Sequence, residues 1–253
     1  LDLPQEVLAQ LHCGACGTQT KTHPCGACGA APLLEGRYAL VERIGQGASG
    51  VTWKAWEVEA KRWVALKEMI LRGPPGSKER ELVLREIQLL QQLSHPRVPR
   101  YLHHFTQSQG RYQALYLVQE FIEGDTLEAL ARGTRYREKD VRALMTELAQ
   151  LLKGLHSLSP PVIHRDIKPA NLMVRSDDGA LFLIDFGSVR DALKGDLGGS
   201  TVAGTFGYMP PEQLVGDATP STDLYAWGVV AVELLTKRSP QAMLDHAHRL
   251  KWQ

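Results

Sequence analysis

The sequence has no cysteine after residue 28, no long apolar run and no excess of either charge. A membrane-spanning helix needs about 18 consecutive apolar residues, and the longest candidate, Leu224 to Leu235, is interrupted by Gly228 and Glu233. We interpret it as a buried core helix and expect no membrane segment. The net charge of +1 creates no field that attracts nucleic acid, so no nucleic-acid partner is expected.

The remaining composition is that of a globular protein. Hydrophobic residues make up 43% and charged residues 23% of the 253 positions, which is close to the average for globular domains. This length suffices for one larger domain with a small appendage. The N-terminus lacks the basic and then apolar pattern of a secretory signal, which favours a cytoplasmic location.

All four cysteines lie in two CxxC pairs, Cys13 with Cys16 and Cys25 with Cys28, separated by eight residues. A segment of about 30 residues with few large apolar side chains has too small a core to fold alone. Four thiolates at this spacing therefore predict a structural zinc site. Two disulfides, or free thiols in an unstructured tail, are the alternatives.

This cysteine spacing resembles a zinc ribbon over residues 11–30, and we assign residues 1–35 to a ribbon-like segment. His12 and His23 lie beside the cysteines, and either could replace a sulfur ligand. Lys21 is the one basic residue between the pairs, and no aromatic residue there offers base stacking, so we expect a docking or stabilising module. We find no obvious apolar seam between this segment and the rest of the chain.

From Tyr38 onward, the pattern changes to the alternation typical of strands. Residues 39–44 read ALVERI, residues 45–50 read GQGASG and residues 51–55 read VTWKA, which predicts a strand, a glycine loop and a second strand. Dinucleotide-binding folds also use GxGxxG, but there the loop opens a helix. Glycines let backbone N–H groups close over nucleotide phosphates. The expected nucleotide-binding glycines are Gly45, Gly47 and Gly50.

Two later positions form a candidate ion pair. Residues 64–67 read VALK and end a short strand at Lys67, a cation suited to phosphate binding. Glu86 lies in a segment whose apolar residues are spaced as one face of a helix. A glutamate on that inward face needs a cation to balance its charge, and Lys67 is the candidate partner. The apolar residues of that face are Leu82, Leu89, Leu90 and Leu93.

Residues 164–171 read HRDIKPAN and residues 185–187 read DFG, each beside a short hydrophobic strand. With the preceding motifs, they resemble the bacterial-type (Hanks-type) serine/threonine protein kinases over Arg37 to Lys237. The resemblance implies an α+β fold with two lobes: a small antiparallel β N-lobe with one helix and the hinge at 36–122, and a mainly helical C-lobe at 123–253. Because only 30 residues follow Asp223, C-terminal helices of the family are expected to be missing.

The resemblance also implies the chemistry. ATP, with Mg²⁺ or Mn²⁺, would donate its γ-phosphoryl group to Ser/Thr hydroxyls of protein substrates, and catalysis would rest on positioning and electrostatics. Asp166 would orient the hydroxyl and accept its proton, and Lys168 would neutralise charge on the γ-phosphoryl group. Asn171 and Asp185 are the implied magnesium ligands. Adenine would contact Val51, Ala65, Met173 and the hinge backbone at Glu120 and Ile122.

Regulation is implied as well. Arg165, beside the catalytic aspartate, resembles the arginine of kinases whose activation loop is ordered by phosphorylation. Ser200 and Thr201 are the candidate acceptors, modified by a second copy in a transient self-association, although small polar residues also populate ordinary loops. Thr205 resembles the threonine that hydrogen-bonds the catalytic aspartate and lysine.

Three functions were therefore weighed. The first is an active protein kinase, and the second is a nucleotide-binding pseudokinase scaffold. The third places the function in the ribbon, as a docking module or a metal-dependent nucleic-acid module. A γ-phosphate transfer assay separates the first two, and oligonucleotide binding tests the third.

Overall fold

The computed structural model describes residues 3–47, 50–71, 77–109, 112–186, 204–245 and 251. The chain divides into two compact units, Leu1–Glu81 with Arg100–Ile122, and Leu82–Pro99 with Glu123–Gln253. The first unit is mainly antiparallel β-sheet and the second is mainly helical, which confirms the expected α+β, two-lobed class. Within the described residues, no helix is long and apolar enough to cross a membrane.

The first unit is built on a five-stranded antiparallel sheet in the order β1-β2-β3-β5-β4. The predicted strand, glycine loop and strand are β1 and β2, and the strand ending near Lys67 is β3. Helix α1 precedes the sheet. The bounds are α1 Gln5–Gln10, β1 Tyr38–Gly47, β2 Gly50–Glu57, β3 Arg62–Leu71, β4 Tyr101–Gln109 and β5 Tyr112–Glu120.

One face of this sheet carries an aromatic core. Alternate residues of each strand point to the same face, so Tyr38, Trp53 and Tyr116 share one buried cluster with Leu66 and Phe105. The Phe105 ring stacks on Tyr116 at 4.9 Å and on Tyr38 at 5.5 Å between centroids. Offset stacking of this kind adds to the area that the rings bury.

The opposite face of β1 is covered by the N-terminal segment. Val7 and Leu11 of this segment are 0% and 1% exposed, and they share a cluster with Ala39 and Val41 of β1. The expectation that the cysteine-bearing segment shares no apolar seam with the rest of the chain is therefore wrong. The reason is that the spacing of Leu3, Val7 and Leu11 gives this segment an apolar stripe of its own.

A buried carboxylate fastens the ends of three strands. Glu57, at the end of β2, is 1% exposed and receives hydrogen bonds from Arg37, just before β1, and from Arg62 at the start of β3, the latter at 2.6 Å. Burial by itself would raise the pKa of Glu57, but the hydrogen bonds from Arg62 and Arg37 outweigh it and lower the pKa.

Glu57→Gln is expected to destabilise the protein by about 1–3 kcal/mol at pH 7, less than for a wholly buried pair because both arginines keep contact with water. Because the folded pKa is depressed, the carboxylate stabilises the fold above the unfolded value of about 4.3 and loses this effect as the pH falls further. Urea unfolding at several pH values measures both effects. Glu59→Gln, at a 74% exposed partner of Arg37, is the matched control, and an equal loss in both variants would contradict the assignment.

The second unit contains most of α2 and all elements after β5. Helices α4 and α6 pack against each other, and the Trp227 indole on α6 donates to the Met145 carbonyl oxygen on α4 at 2.8 Å. The predicted core helix at 224–235 is confirmed as part of α6. The bounds are α2 Lys78–Gln92, β6 Gly124–Thr126, α3 Leu127–Gly133, α4 Glu138–His156, β7 Leu172–Arg175, β8 Leu181–Leu183, α5 Pro211–Leu214 and α6 Pro220–Thr236, with 3-10 turns at Pro169–Asn171 and Pro240–Met243.

Helix α2 forms where the apolar spacing predicts it, but its buried stripe is shifted. The fully buried apolar residues are Val83, Ile87 and Leu90, whereas Leu89 and Leu93 are half-buried. Glu86 lies on this inward stripe and is 1% exposed. A buried carboxylate at that position is consistent with the need for a cationic partner.

Candidate active site and cysteine cluster

The glycine loop joins β1 to β2 in the first unit. Gly47 pairs with Gly50 across the hairpin, and residues 48 and 49 lie outside the described part of the chain. Gly50 has a φ of 133°, and a Cβ atom there would lie 2.0 Å from the Glu68 carbonyl oxygen. No other amino acid fits this close approach of β2 to β3. A Cβ atom on Gly45 would lie 3.6 Å from the Cβ atom of Thr52, which is an ordinary van der Waals contact.

Lys67 lies on β3 and is 8% exposed. The register pairs Lys67 with Thr52, so these two side chains and Ala65 share one face of the sheet. Val51 pairs with Glu68 instead and packs against the aromatic core on the opposite face. This geometry moves the expected nucleotide contact from Val51 to Thr52.

The expected hinge follows β5. The Glu120 amide donates to the Arg100 carbonyl oxygen at 2.9 Å, and the Glu120 carboxylate accepts from Arg100 Nε at 3.1 Å. Ile122 is 5% exposed and ends the first unit. Met173 and Glu86 belong to the second unit, so the adenine pocket and the Lys67–Glu86 ion pair stay predictions.

The second unit brings the catalytic-loop residues together around Asp166. Its Oδ2 accepts hydrogen bonds from Lys168 Nζ at 2.8 Å and from Asn171 Nδ2 at 3.0 Å. Its Oδ1 accepts from the Thr205 hydroxyl at 2.7 Å, and the same hydroxyl accepts from Lys168 Nζ at 2.7 Å. These are the two contacts that the resemblance implies for Thr205. Lys168, Asn171 and Thr205 therefore all donate to this one carboxylate.

Asn171 and Asp185 flank one end of the β7–β8 hairpin. Leu172 pairs with Leu183, and the Ile184 amide donates to the Asn171 carbonyl oxygen at 2.9 Å. The side-chain nitrogen of Asn171 faces the Asp166 carbonyl oxygen at 2.9 Å, which leaves its Oδ1 atom for another partner. An amide oxygen beside a carboxylate is the hard donor set that Mg²⁺ prefers, so these residues fit the implied metal.

The residue after Asp185 is held in the core. The Phe186 ring is 3% exposed and meets the His164 ring edge-on at 4.7 Å between centroids. His164 is fully buried, and its Nε2 lies 3.2 Å from the Ile184 carbonyl oxygen. These contacts fix the backbone on both sides of Asp185, which has a φ of 60°.

Asp223, at the start of α6, holds the backbone of the catalytic loop through hydrogen bonds. It is 0% exposed and accepts hydrogen bonds from the His164 and Arg165 amides at 2.9 and 2.8 Å. The ring of His156 contacts the same carboxylate at 2.9 Å. The resemblance identifies Asp223 as the aspartate that starts a buried helix of the family, but it does not identify His156. Because they are 67 positions apart, the sequence gives no local signal of this contact.

Arg165 connects the catalytic loop to the segment after residue 203. It has a φ of 67°, and its carbonyl oxygen accepts from Gln213 Nε2 at 2.7 Å. A Cβ atom on Gly204 would lie 2.8 Å from that carbonyl oxygen, so only glycine fits there. The candidate phosphorylation sites Ser200 and Thr201 lie outside the described residues.

The four cysteines converge in the first unit. Their sulfur atoms lie within 4.8 Å of one another, with Cys13 to Cys28 at 3.7 Å and Cys16 to Cys25 at 3.9 Å. A tetrahedron with metal–sulfur bonds of about 2.3 Å has edges of about 3.8 Å. The arrangement therefore fits one tetrahedral metal, and the neighbouring histidines are not part of the four-residue cluster.

Matching turns build the two halves of the cluster. The Gly17 amide donates to the Cys13 carbonyl oxygen at 2.7 Å, and the Gly29 amide to that of Cys25 at 2.8 Å. Both glycines have a φ near +70°, at 72° and 73°, which glycine adopts without strain. The left-handed positions are therefore the glycines that directly follow each CxxC, not those inside it.

The electrostatics of the cluster favour a bound cation. Backbone amides of Ala27 and Cys28 lower the pKa of Cys25 to about 6. The Ala30 amide favours the thiolate of Cys28, but hydrogen bonds with the other three cysteines raise the pKa of Cys28 to about 12. Four adjacent sulfurs cannot all ionise without a positive partner.

The β-sheet of the first unit, the helices of the second and the network around Asp166 together define the class of two-lobed protein kinase folds. Residues 38–251 match the family model described as the protein kinase domain, and the chain belongs to this family. It is 36% identical to serine/threonine-protein kinase B of Synechocystis sp. over 234 residues, 86% of this chain and 40% of that protein.

Two further relatives are similar over comparable shares of the chain. Serine/threonine-protein kinase F of Synechocystis sp. is 35% identical over 243 residues, 88% of this chain and 48% of that protein. Serine/threonine-protein kinase PknA of Nostoc sp. is 35% identical over 230 residues, 85% of this chain and 40% of that protein. The chain thus spans less than half the length of these relatives.

Proposed function

We propose that this chain is the catalytic part of a serine/threonine protein kinase that transfers the γ-phosphoryl group of ATP to protein hydroxyls. The observation that carries the proposal is the closed hydrogen-bond network of Asp166, Lys168, Asn171 and Thr205. The names of the relatives support the serine/threonine class. Lysine at position 168 is consistent with that class.

Each residue of the network has a role in the proposed transfer. The Asp166 carboxylate orients the substrate hydroxyl and accepts its proton. Lys168 balances the charge that develops on the transferred group, and Thr205 fixes both side chains. Asn171 and Asp185 would hold Mg²⁺, which neutralises phosphate charge when bound. Gly50 and Lys67 would hold the ATP phosphates.

Asp166→Asn is expected to lower kcat by about 10²–10⁴-fold and to leave the KM for ATP nearly unchanged. The amide cannot accept the proton, and its NH₂ group would oppose donors from Lys168, Asn171 or Thr205. Phosphate incorporation into a generic protein substrate, measured by mass spectrometry with ATP and Mg²⁺, tests this expectation and the proposed function together.

The matched control is Asp177→Asn, because Asp177 is 73% exposed on the β7–β8 turn. It should keep wild-type turnover. If wild-type protein transfers no phosphate under any condition, the kinase proposal fails and the pseudokinase alternative gains. Turnover of the Asp166 variant within about twofold of wild type would remove Asp166 from the mechanism.

We also propose that the four cysteines hold one structural Zn²⁺. The support is the near-tetrahedral spacing of the sulfurs and the soft thiolate donor set, which zinc favours. Thiolates bind metal only while reduced, and this requirement is consistent with a cytoplasmic location. Phosphorylation of Ser200 or Thr201 by a second copy remains part of the proposal, and protein substrates remain unidentified.

One zinc per chain is expected from elemental analysis of protein purified without chelators. X-ray absorption should show four sulfur ligands at about 2.3 Å. Cys16→Ser and Cys28→Ser should each reduce the metal content, whereas His23→Ala should retain it because His23 is outside the cluster. A metal-free protein with two disulfides by non-reducing mass spectrometry would contradict the zinc assignment.

A further inference from the structure

The cysteine cluster is joined to the edge of the nucleotide-binding sheet. The His12 amide donates to the Leu40 carbonyl oxygen on β1 at 2.8 Å, directly before the first cysteine, Cys13. On the other side of the cluster, the Gly14 amide donates to the Pro32 carbonyl oxygen at 2.8 Å, and a Cβ atom on Gly14 would lie 2.6 Å from Leu34. Leu34 itself is fully buried in the aromatic core.

A chain of side-chain contacts continues from this edge to β3. The His12 ring packs on the Trp53 ring at 5.4 Å between centroids, and Trp53 is 5% exposed. The Trp53 indole donates to Glu68 Oε2 at 3.3 Å, and the Tyr116 hydroxyl donates to Glu68 Oε1 at 3.2 Å. Glu68 is the neighbour of Lys67 in β3.

The same residue also supports the glycine loop. Glu68 pairs with Val51 across β2 and β3, and its carbonyl oxygen is the atom that excludes any side chain at Gly50. The position of Glu68 therefore sets both the start of β2 after the glycine loop and the strand that presents Lys67. The His12 ring, the Trp53 indole and the Glu68 carboxylate therefore connect Cys13 to this part of β3.

We infer that metal binding at the cysteine cluster positions the nucleotide-binding strands through His12 and Trp53, so that metal loading and nucleotide affinity are coupled. With metal bound, Cys13 is fixed and the His12 ring is held against Trp53. Without it, this restraint on Trp53 and Glu68 is lost. His12 and Trp53 are positioning residues, and the inference rests on the proposed nucleotide binding and metal site.

The test uses the full chain in metal-loaded form, with three variants: His12→Ala, His12→Phe and His23→Ala. His12→Phe keeps an aromatic ring against Trp53, and His23 is an exposed histidine that also neighbours the cysteines. The first measurement is hydrogen exchange of the amides of residues 50–53 and 66–69 without nucleotide. The second is the Kd of a non-hydrolysable ATP analogue, measured by calorimetry.

Slow exchange and tight binding are expected for wild type, His12→Phe and His23→Ala. His12→Ala is expected to exchange faster and to have a Kd about 5–150-fold higher, which is the usual range of coupling between two sites. All four should keep the metal. Chelation should raise Kd in wild type and change it little in His12→Ala. Unchanged exchange in His12→Ala, or an equal effect of His23→Ala, would overturn the inference. Absence of any nucleotide binding in wild type would refute the kinase proposal and the coupling to nucleotide affinity together, whereas nucleotide binding that is equal in wild type and His12→Ala would overturn the coupling alone.

Discussion

Asp185→Ala is expected to abolish metal-dependent phosphoryl transfer. Asp185 lies two residues after the end of β8. The backbone on either side of it is held by the Ile184 amide, which donates to Asn171, and by the buried Phe186 ring. Its carboxylate is the charged member of the proposed magnesium pair. Without it, the neutral amide oxygen of Asn171 would be the remaining member of the pair, and a neutral oxygen binds Mg²⁺ weakly.

The measurement is the rate of phosphate transfer against Mg²⁺ concentration. Wild type should saturate, whereas the variant should show no transfer above background at any concentration tested. Nucleotide affinity should fall less than transfer, because the proposed phosphate contacts of Gly50 and Lys67 remain. Asp217→Ala, at an exposed carboxylate after α5, controls for a general loss of charge. Near-native turnover in Asp185→Ala would remove this residue from the mechanism.

The motifs of the catalytic loop could be predicted from sequence because each combines a residue type with a fixed local spacing. Asp166, Lys168 and Asn171 lie within six residues of one another, and the 3-10 turn and β7 that follow determine their relative positions. The roles of these three residues, like the contact with Thr205, follow only from resemblance to a family. No periodicity predicts a hydrogen bond between residues 39 positions apart.

The apolar seam under the cysteine segment had a signal that was overlooked. Leu3, Val7 and Leu11 recur every four residues, as one face of a helix does. Residues 38–41 read YALV and are buried on both faces of β1, which requires a cover on the outer face. These two observations together would have predicted the packing of α1 against the sheet.

The misplaced nucleotide contact shows the limit of matching motifs without register. Side chains in a strand alternate between faces, so a shift of one residue exchanges the two faces. The resemblance implies that adenine contacts Val51, whereas the pairing of Thr52 with Lys67 places Thr52 on the face of the lysine. The register between two strands is a tertiary property that the letters of one strand do not contain.

Asp223 is a support that only the three-dimensional structure explains. Its carboxylate is fully buried and accepts two backbone hydrogen bonds, from His164 and Arg165, and a contact from the His156 ring. Arg165 has a positive φ of 67°, a conformation that costs a non-glycine residue about 1–3 kcal/mol and persists where the surroundings enforce it. The two hydrogen bonds that the His164 and Arg165 amides donate to Asp223 hold this conformation, one residue before Asp166.

Asp223→Ala is therefore expected to lower both stability and turnover. Two buried N–H groups lose their acceptor at about 1–3 kcal/mol each, so the free energy of unfolding should fall by about 3–5 kcal/mol, a large part of the ~5–15 kcal/mol of an ordinary domain. Relaxation of Arg165 would also displace Asp166, and a shift of about 1 Å at a reacting group can reduce the rate about 10²-fold. Urea unfolding measures the first effect, and kcat at a temperature where the variant is folded measures the second.

His156→Ala separates these contributions, because it removes the ring contact and leaves both backbone hydrogen bonds of Asp223 intact. It should destabilise the protein less than Asp223→Ala and reduce kcat only slightly. Asp223→Asn should fall between them, since its single amide oxygen can accept from His164 or Arg165 but its NH₂ group opposes the other amide. An Asp223→Ala protein that unfolds at the wild-type urea concentration would show that other contacts hold the catalytic loop. Loss of stability with unchanged kcat would show instead that Asp166 keeps its position without this carboxylate.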